Sequence, residues 1–197
     1  VFLFFFFVLF FFVFNPCPCV FSPSPSSVYD NQLELAFQPQ VNLVTGDVSG
    51  VEALVRWRHP ERGLISPTEF IPLAERTGAI VAIGEWGLKA SCNALSRWHE
   101  QGFTHLTISV NISANQLHQS DIVHTVRSLL EETRVPPQFL VLELTETAIM
   151  NNVDLAIRLL RQIKQLGVQL AIDDFGTGYS SLAYLKKMPM DEIKIDR

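Results

Sequence analysis

Residues 139–174 have the sequence FLVLELTETAIMNNVDLAIRLLRQIKQLGVQLAIDD, which predicts a strand, a helix and a second strand in succession. The outer segments, Phe139 to Leu144 and Val168 to Ile172, are short and almost wholly apolar, as in strands that are buried on both faces. Between them, apolar side chains recur at helical spacing from Val153 to Ile163, and Gly167 ends the pattern. Such a unit predicts parallel strands covered by helices.

The same alternation extends over the chain from Asn31 onward. Leu35 to Leu43 and Val48 to Trp57 are predicted strands, joined by the hairpin signal Thr45-Gly46-Asp47. The other predicted elements are a helix opened by the capping box Ser66-Pro67-Thr68-Glu69 and closed by Gly78, a helix from Ile83 to Trp98 ending at Gly102, a strand from Leu106 to Ile112, a helix from Asp121 to Glu132, a helix from Ser180 to Lys187, and a strand from Glu192 to Ile195.

Two architectures fit this alternation: an open doubly wound sheet and a (β/α)₈ barrel. Neither a Gly-x-Gly-x-x-Gly fingerprint nor a P-loop is present to mark the first, so we favour the barrel. A complete barrel takes about 250 residues. Because the chain ends at Arg197, just after the last predicted strand, we expect the final strands and helices to be absent.

Residues 1–30 differ in composition from the rest of the chain. Val1 to Phe14 is an uncharged apolar run, and a Pro/Ser-rich stretch follows it up to the first charged residue, Asp30. The run is shorter than the roughly 20 residues of a spanning helix, and it lacks the basic start of a secretory signal. We interpret residues 1–30 as a low-complexity tract and linker, either without function or the end of a membrane anchor, and residues 31–197 as one α/β domain.

Bulk composition excludes several classes of protein. The net charge is −5 and the pI is about 5.5, which disfavours a protein that coats a nucleic acid polymer. Three cysteines, two of them in Cys17-Pro-Cys19, form neither a disulfide framework nor a zinc pattern. The sequence is therefore typical of a reducing compartment.

Acidic and amide side chains interrupt the predicted strands near their carboxyl ends. They are Glu52, Asn111, Glu143, Asp173 and Asp174. In a parallel α/β fold these ends converge on one face. Carboxylates about 4 Å apart repel by roughly 1 to 4 kcal/mol per pair, so a cluster of them predicts a bound cation. Oxygen ligands without Cys or His favour Mg²⁺, Mn²⁺ or Ca²⁺. One such acid alone is more often a helix cap or an arginine partner; five together favour a metal site.

Two further features lie near these acids. Lys194 lies inside an apolar strand, where it either points inward towards an anionic partner or outward from an edge strand. Beside a phosphate or an activated water it would offset developing negative charge. The segment from Phe175 to Ser181 is a glycine-rich turn into a predicted helix, a weak signal for close approach to an anion.

Together these residues resemble the EAL domain family, the bacterial phosphodiesterases that linearise the second messenger cyclic di-GMP. The resemblance is carried by Phe37-Gln38-Pro39, Glu52-Ala53-Leu54-Val55-Arg56-Trp57, Val110-Asn111-Ile112-Ser113, Glu143-Leu144-Thr145-Glu146, Asp173-Asp174-Phe175-Gly176-Thr177-Gly178-Tyr179-Ser180-Ser181-Leu182 and Ile193-Lys194-Ile195-Asp196-Arg197. The motifs occur in the family's order and cover residues 31–197.

The resemblance implies a TIM-like (β/α) barrel of the EAL type and a role for each matched residue. It implies metal ligation by Glu52, Asn111, Glu143 and Asp173, with Asp174 at a second ion, and places Glu52, Asp173, Asp174 and Lys194 in the catalytic centre. It also implies that Lys194 contacts the attacking water, that Glu146 holds the glycine-rich loop, and that Gln38, Leu54 and Arg56 contact the dinucleotide.

The implied reaction is hydrolysis of one phosphodiester bond of cyclic di-GMP to linear pGpG, with Mg²⁺ or Mn²⁺, in bacterial signal transduction. Family members commonly form homodimers and follow a GGDEF domain or a membrane sensor, which implies the cytoplasm or the cytoplasmic face of the inner membrane. The family pattern continues beyond Arg197 with a further acidic motif and a glutamine-containing motif, so we expect this chain to be an impaired fragment with little or no activity.

Two alternatives to an enzyme remain. One is a non-catalytic cyclic di-GMP receptor that uses the same pocket to control a partner. The other is a non-functional gene fragment.

Overall fold

The strands follow the order predicted from the sequence. The computed structural model describes residues 32–119, 121–176 and 187–195. Its strands are β1 (Leu33–Val41), β2 (Val48–His59), β3 (Gly63–Ile65), β4 (Thr107–Asn111), β5 (Leu140–Thr145), β6 (Gln169–Phe175) and β7 (Glu192–Ile195). The N-terminal tract and most of the helix predicted from Ser180 lie outside the described residues.

The helices alternate with these strands. They are α1 (Pro67–Thr77), α2 (Ala79–Glu100), α3 (Ala114–Gln119), α4 (Ile122–Thr133), α5 (Glu146–Met150) and α6 (Val153–Gln165). None of the helices within the described ranges is long and apolar enough to cross a membrane.

The helix ends follow from local chemistry. The Ser66 hydroxyl accepts a hydrogen bond from the Thr68 amide at 3.3 Å, which caps α1 as predicted. The reciprocal half of the predicted capping box does not form, because the Glu69 carboxylate lies 2.6 Å from the Arg62 guanidinium instead. Gly78 ends α1 with φ of 78°, a left-handed conformation that glycine adopts without strain.

The strands form one mostly parallel sheet in the order β1-β2-β4-β5-β6-β7, with β3 paired to β2. β1 and β3 run antiparallel to β2, while the steps from β2 through β7 are parallel. Each parallel step is linked by a helical crossover, except that the connection from β6 to β7 falls mainly in residues 177–186, outside the described part. The carboxyl ends of β2, β4, β5, β6 and β7 therefore lie at the same end of the sheet.

Helices cover one face of this sheet and form the main core with it. Fully buried Leu88 and Leu95 of α2 and Leu160 of α6 pack against strand residues such as Ile108 and Leu142. Burial of one such leucine contributes about 1.5 to 3 kcal/mol. Alternate strand residues belong to the opposite face, which we call the interior face.

Three short elements, β3, α3 and α5, were not predicted. Elements of three to six residues are too short for apolar periodicity to identify them. β6 also extends three residues beyond its predicted end at Ile172, since Phe175 still pairs with Ile195 of β7. Asp173 and Asp174 consequently lie within the strand and not after it.

Candidate active site

The interior face carries the polar residues that the sequence singles out. In β2, Val51 and Ala53 belong to the helix-side core, so the alternating residues Glu52, Leu54 and Arg56 lie on the interior face. Strand pairing assigns the other interior residues, which are Gln38, Gln40, Ser109, Asn111, Glu143, Asp173 and Lys194. Residues separated by as many as 142 positions in sequence are thus brought together.

Two acids and one lysine form the centre of the site. The Lys194 ammonium donates to Glu52 Oε2 at 3.2 Å and contacts Glu143 Oε1. Asn111 Nδ2 donates to the other Glu52 oxygen, Oε1, at 2.9 Å. Lys194 therefore points inward, which decides between the two orientations that the sequence left open.

Glu143 is a wholly buried carboxyl, with 0% of its surface exposed. Burial raises its pKa, contacts with Lys194 and Ser109 oppose that rise, and the charge of Glu52 adds to it, so the net pKa lies above the ordinary value. Neither Glu143 oxygen completes a hydrogen bond of good geometry within the described residues. The carboxylate therefore relies mainly on a nearby positive charge.

Lys194 supplies that charge. Burial by itself lowers the pKa of the ammonium, but the close contacts with Glu143 and Glu52 and their negative charges more than offset this, and the pKa is raised. The lysine is consequently a fixed cation over the whole physiological pH range, well suited to attract a phosphate or orient a water molecule.

The Asp173-Asp174 pair lies further along the sheet. Glu143 pairs with Ala171 and Thr145 with Asp173, so Asp173 is two residues nearer the carboxyl end than Glu143, about 7 Å along the strand. Asp174 has a φ of 54°, and its amide donates to Asp173 Oδ1 at 3.1 Å. The left-handed conformation of Asp174 coincides with an irregularity in the register between β6 and β7, between Ile172 and Phe175.

Glu146, predicted to hold the glycine-rich loop, is the first residue of α5 and contacts the start of that loop. Its Oε2 accepts a hydrogen bond from the Gly176 amide at 3.4 Å. The glycine has a φ of 98°, so a residue with a side chain would be strained there. Residues 177–186 of the loop are outside the described part.

The predicted dinucleotide contacts border the acidic centre. Gln38 is exposed and pairs across β1 and β2 with Glu52. Leu54 and Arg56 follow Glu52 at alternate positions and are half-buried. Arg56 Nη1 donates to the Val55 carbonyl at 3.1 Å, which leaves further donors of the guanidinium for another acceptor.

The predicted metal ligands fall into two groups in this structure. Glu52, Asn111 and Glu143 lie together at the centre, and Asp173 with Asp174 lies nearer the carboxyl ends. Within the described ranges, no three His, Cys, Asp or Glu side chains are close enough to hold a metal ion. The donors nevertheless fit a hard cation, because all are oxygens and the buried Glu143 oxygens retain acceptor capacity.

Two interior residues near this centre were not predicted. Ser109 lies between Glu52 and Val141 in the strand register, and Gln40 Nε2 donates to its hydroxyl at 3.4 Å. Alternation could have indicated Ser109, since it lies two residues before Asn111 and hence on the same face.

Comparison with known proteins decides the family. The model of the EAL domain matches residues 25–197. The chain belongs to the EAL domain family. The match covers most of the chain and includes every motif described above.

Curated EAL relatives from Pseudomonas aeruginosa are similar to most of this chain. The bifunctional diguanylate cyclase/cyclic di-GMP phosphodiesterase MucR is 48% identical over 166 residues, 84% of this chain and 24% of MucR. The cyclic di-GMP phosphodiesterase NbdA is 48% identical over 168 residues, 85% of this chain and 22% of NbdA. The chain thus spans about a quarter of the length of these relatives.

Solved EAL structures share the fold. The MucR phosphodiesterase in complex with c-di-GMP is 46% identical with a TM-score of 0.83, covering 87% of this chain and 69% of that one. The FimX EAL domain from Pseudomonas aeruginosa bound to c-di-GMP is 26% identical with a TM-score of 0.76, covering 87% and 68%. The predicted α/β fold of the TIM-like EAL type is confirmed.

Proposed function

We propose that this EAL domain hydrolyses one phosphodiester bond of cyclic di-GMP, giving linear pGpG, with the help of Mg²⁺ or Mn²⁺. The observation that carries the proposal is the convergence of Glu52, Asn111, Glu143 and Lys194 on the interior face near the carboxyl ends of the parallel strands. Active sites of barrel enzymes lie at this end of the sheet. The phosphodiesterases to which the chain is similar support the same substrate.

Each residue has a role in this reaction. Glu52, Asn111, Glu143, Asp173 and Asp174 would hold the metal, which would lower the pKa of a water molecule and offset charge on the phosphate. Lys194 donates a hydrogen bond to the attacking water and keeps its positive charge beside the phosphorus centre. Arg56, Leu54 and Gln38 bind the dinucleotide beside this centre. The water oxygen bonds to phosphorus and gives up one proton, the bond from phosphorus to the 3′ oxygen breaks, and that oxygen takes up one proton in return.

Product formation tests the proposal directly. The purified chain is incubated with cyclic di-GMP and Mn²⁺, and pGpG is measured by chromatography. We expect little or no turnover from these 197 residues, and Asp173→Ala should abolish any turnover that is observed. Asp154→Ala, which removes an exposed acid in α6, is the matched control and should retain the wild-type rate.

A cyclic di-GMP receptor is the second candidate. It is favoured by the separation of the acids into two groups, since no three of the described ones are close enough for a metal. In that case calorimetry would show binding of cyclic di-GMP with no pGpG formed, even at saturating Mn²⁺. This outcome would exclude the hydrolase.

A further inference from the structure

We propose that a small cluster of residues at the start of α3 fixes the direction of the Asn111 side chain towards Glu52. The cluster consists of Ser113, Gln116 and Gly84. The last two lie on helices and belong to none of the family motifs described above. The inference rests on the proposed function, because Asn111 is one of the groups that would hold the metal.

Ser113 and Gln116 cap the start of α3 reciprocally. Ser113 directly precedes the helix, and its hydroxyl oxygen accepts a hydrogen bond from the Gln116 amide at 3.2 Å. In return, Gln116 Oε1 accepts from the Ser113 amide at 3.1 Å and from the Ser113 hydroxyl at 3.2 Å. These bonds form a capping box, which satisfies two of the amides that the first turn of a helix leaves without a partner. Because Gln116 is 1% exposed, water competes little for its side-chain oxygen.

The capping box fixes the chain directly after Asn111. Asn111 is the last residue of β4, and only Ile112 separates it from Ser113. Ile112 is itself held, since its amide donates to the Glu143 carbonyl at 2.8 Å and its side chain is buried in the main core. The backbone on the carboxyl side of Asn111 is thus fixed at two successive residues.

The direction of the Asn111 side chain depends on that backbone. The side chain is exposed, so packing does little to hold it. Its Nδ2 donates to Glu52 Oε1 at 2.9 Å, while Lys194 contacts the other oxygen of the same carboxylate. A rotation of the backbone at Asn111 would move the amide away from Glu52. Groups that orient metal ligands typically contribute about 10- to 100-fold to metal affinity, so this contact bears on the proposed reaction.

Gly84 provides the space for the buried Gln116 side chain. It lies on α2, and a side chain there would overlap the amide group of Gln116. That amide group cannot move aside without breaking its bonds to Ser113. Gly87 on the same helix differs, because the nearest atom to a side chain there would be Val55 Cγ2 at 3.5 Å, an ordinary van der Waals distance. Of these two glycines, only Gly84 is required by the capping box.

The Asn111 side-chain amide tests the inference in heteronuclear NMR spectra of the metal-free chain, which require no turnover. Its resonances are identified by their loss in Asn111→Ala. In the wild type we expect slow exchange of these protons with water, because of the bond to Glu52. We expect Ser113→Ala to shift the resonances towards those of a solvated amide and to speed the exchange. Ser113→Thr keeps a capping hydroxyl and should retain the wild-type signal.

Ser66→Ala is the matched control for loss of a cap. The Ser66 hydroxyl caps α1 by accepting from the Thr68 amide at 3.3 Å, so its removal should also lower the urea midpoint of unfolding. It should leave the Asn111 resonances unchanged, because α1 does not follow β4. A general loss of stability is thereby separated from the positioning role.

The two glycines provide a second comparison. We expect Gly84→Ala to reproduce the shift of the Asn111 resonances, and Gly87→Ala to leave them at their wild-type positions. Gln116→Ala should also give the shift. Adding Gly84→Ala to Gln116→Ala should cause no further change, because the amide group that a side chain at position 84 would meet is gone.

Unchanged Asn111 resonances in Ser113→Ala, or an equal shift in Ser66→Ala, would overturn the inference. Should Ser113→Ala fail to fold, Gly84→Ala and Gly87→Ala decide, and identical Asn111 signals in these two variants count against the inference. Failure of the proposed hydrolysis gives a different result, an absence of pGpG from a chain whose Asn111 amide is hydrogen-bonded, and the variants then still test the positioning role.

Discussion

Glu143 and Lys194 illustrate how single residues determine this site. A carboxyl with no solvent exposure is costly unless a cation compensates it, and the lysine ammonium provides that compensation. Both residues were predicted to belong to the site because they are charged residues inside apolar strands. It did not determine whether Lys194 points inward, because orientation depends on the register of β6 with β7, which strand composition does not encode.

Replacing Lys194 with Met tests this dependence. Removing one partner of a largely buried pair costs about 3 kcal/mol in the free energy of unfolding. The pKa of Lys194 is raised in the folded state, so the lysine stabilises the fold fully below its unfolded pKa of about 10.4. This stabilisation is lost as the pH rises through the folded-state pKa. Urea unfolding should show the deficit at pH 7, and saturating Mn²⁺ should reduce it.

Lys89→Met is the matched control. Lys89 pairs with Glu132 at 2.8 Å, but both side chains are more than half exposed, so the loss should be at most about 1 kcal/mol. Equal losses in the two variants would contradict a special role for the Lys194 contacts.

At the scale of elements, β7 is held in place by Asp191, directly before it. Asp191 Oδ2 accepts from the Leu170 amide of β6 at 2.9 Å and from Lys164 of α6 at 2.5 Å. Its own amide donates to the Leu170 carbonyl at 2.9 Å. These contacts set where β7 begins and so place Lys194 three residues later.

Asp191→Ala should loosen this strand. We expect a loss of about 1 to 2 kcal/mol in unfolding free energy, reduced from the usual value for charged hydrogen bonds because the side chain is partly exposed. Turnover should fall more than cyclic di-GMP binding, since Lys194 shifts while Arg56 does not. Asp191→Asn retains an acceptor for the Leu170 amide and should recover part of both. Wild-type turnover in Asp191→Ala would show that β7 needs no such anchor.

Element boundaries were predictable where the chain carries explicit signals. Gly78 and Gly167 both end helices with positive φ, and Asp121 caps α4 through the His124 amide. The end of β6 was wrong by three residues because pairing with β7 extends the strand beyond its apolar run. Tertiary pairing of this kind leaves no local signal.

At the scale of the whole molecule, the sheet has apolar surface at its last described strand. Ile193 and Ile195 of β7 are 43% and 78% exposed, and within the described residues β7 pairs with β6 alone. An apolar strand edge is a template for association between chains. The parallel order of strands could be predicted from alternation alone, whereas the exposure of this surface depends on the assembled sheet.

Ile195→Lys should reduce self-association. We expect light scattering during size-exclusion chromatography to show fewer high-mass species than for the wild type, because a charge on the edge opposes strand pairing. Leu43→Lys is the control, as Leu43 is 97% exposed at the β1–β2 turn and not on the edge. If Leu43→Lys reduced the high-mass species and Ile195→Lys did not, the β1–β2 turn would be the surface responsible for self-association.

The contact between Lys194 and Glu52 spans 142 residues, and this has a consequence for the order of events during synthesis. Translation at roughly 5 to 20 residues per second separates the emergence of the two residues by about 7 to 28 seconds. Glu143 emerges 51 residues before Lys194, and from then until the lysine emerges the two acids have no lysine to neutralise them, so their repulsion opposes closure of the interior. The arrival of β7 removes this repulsion, so the centre of the site can form only after β7 has emerged.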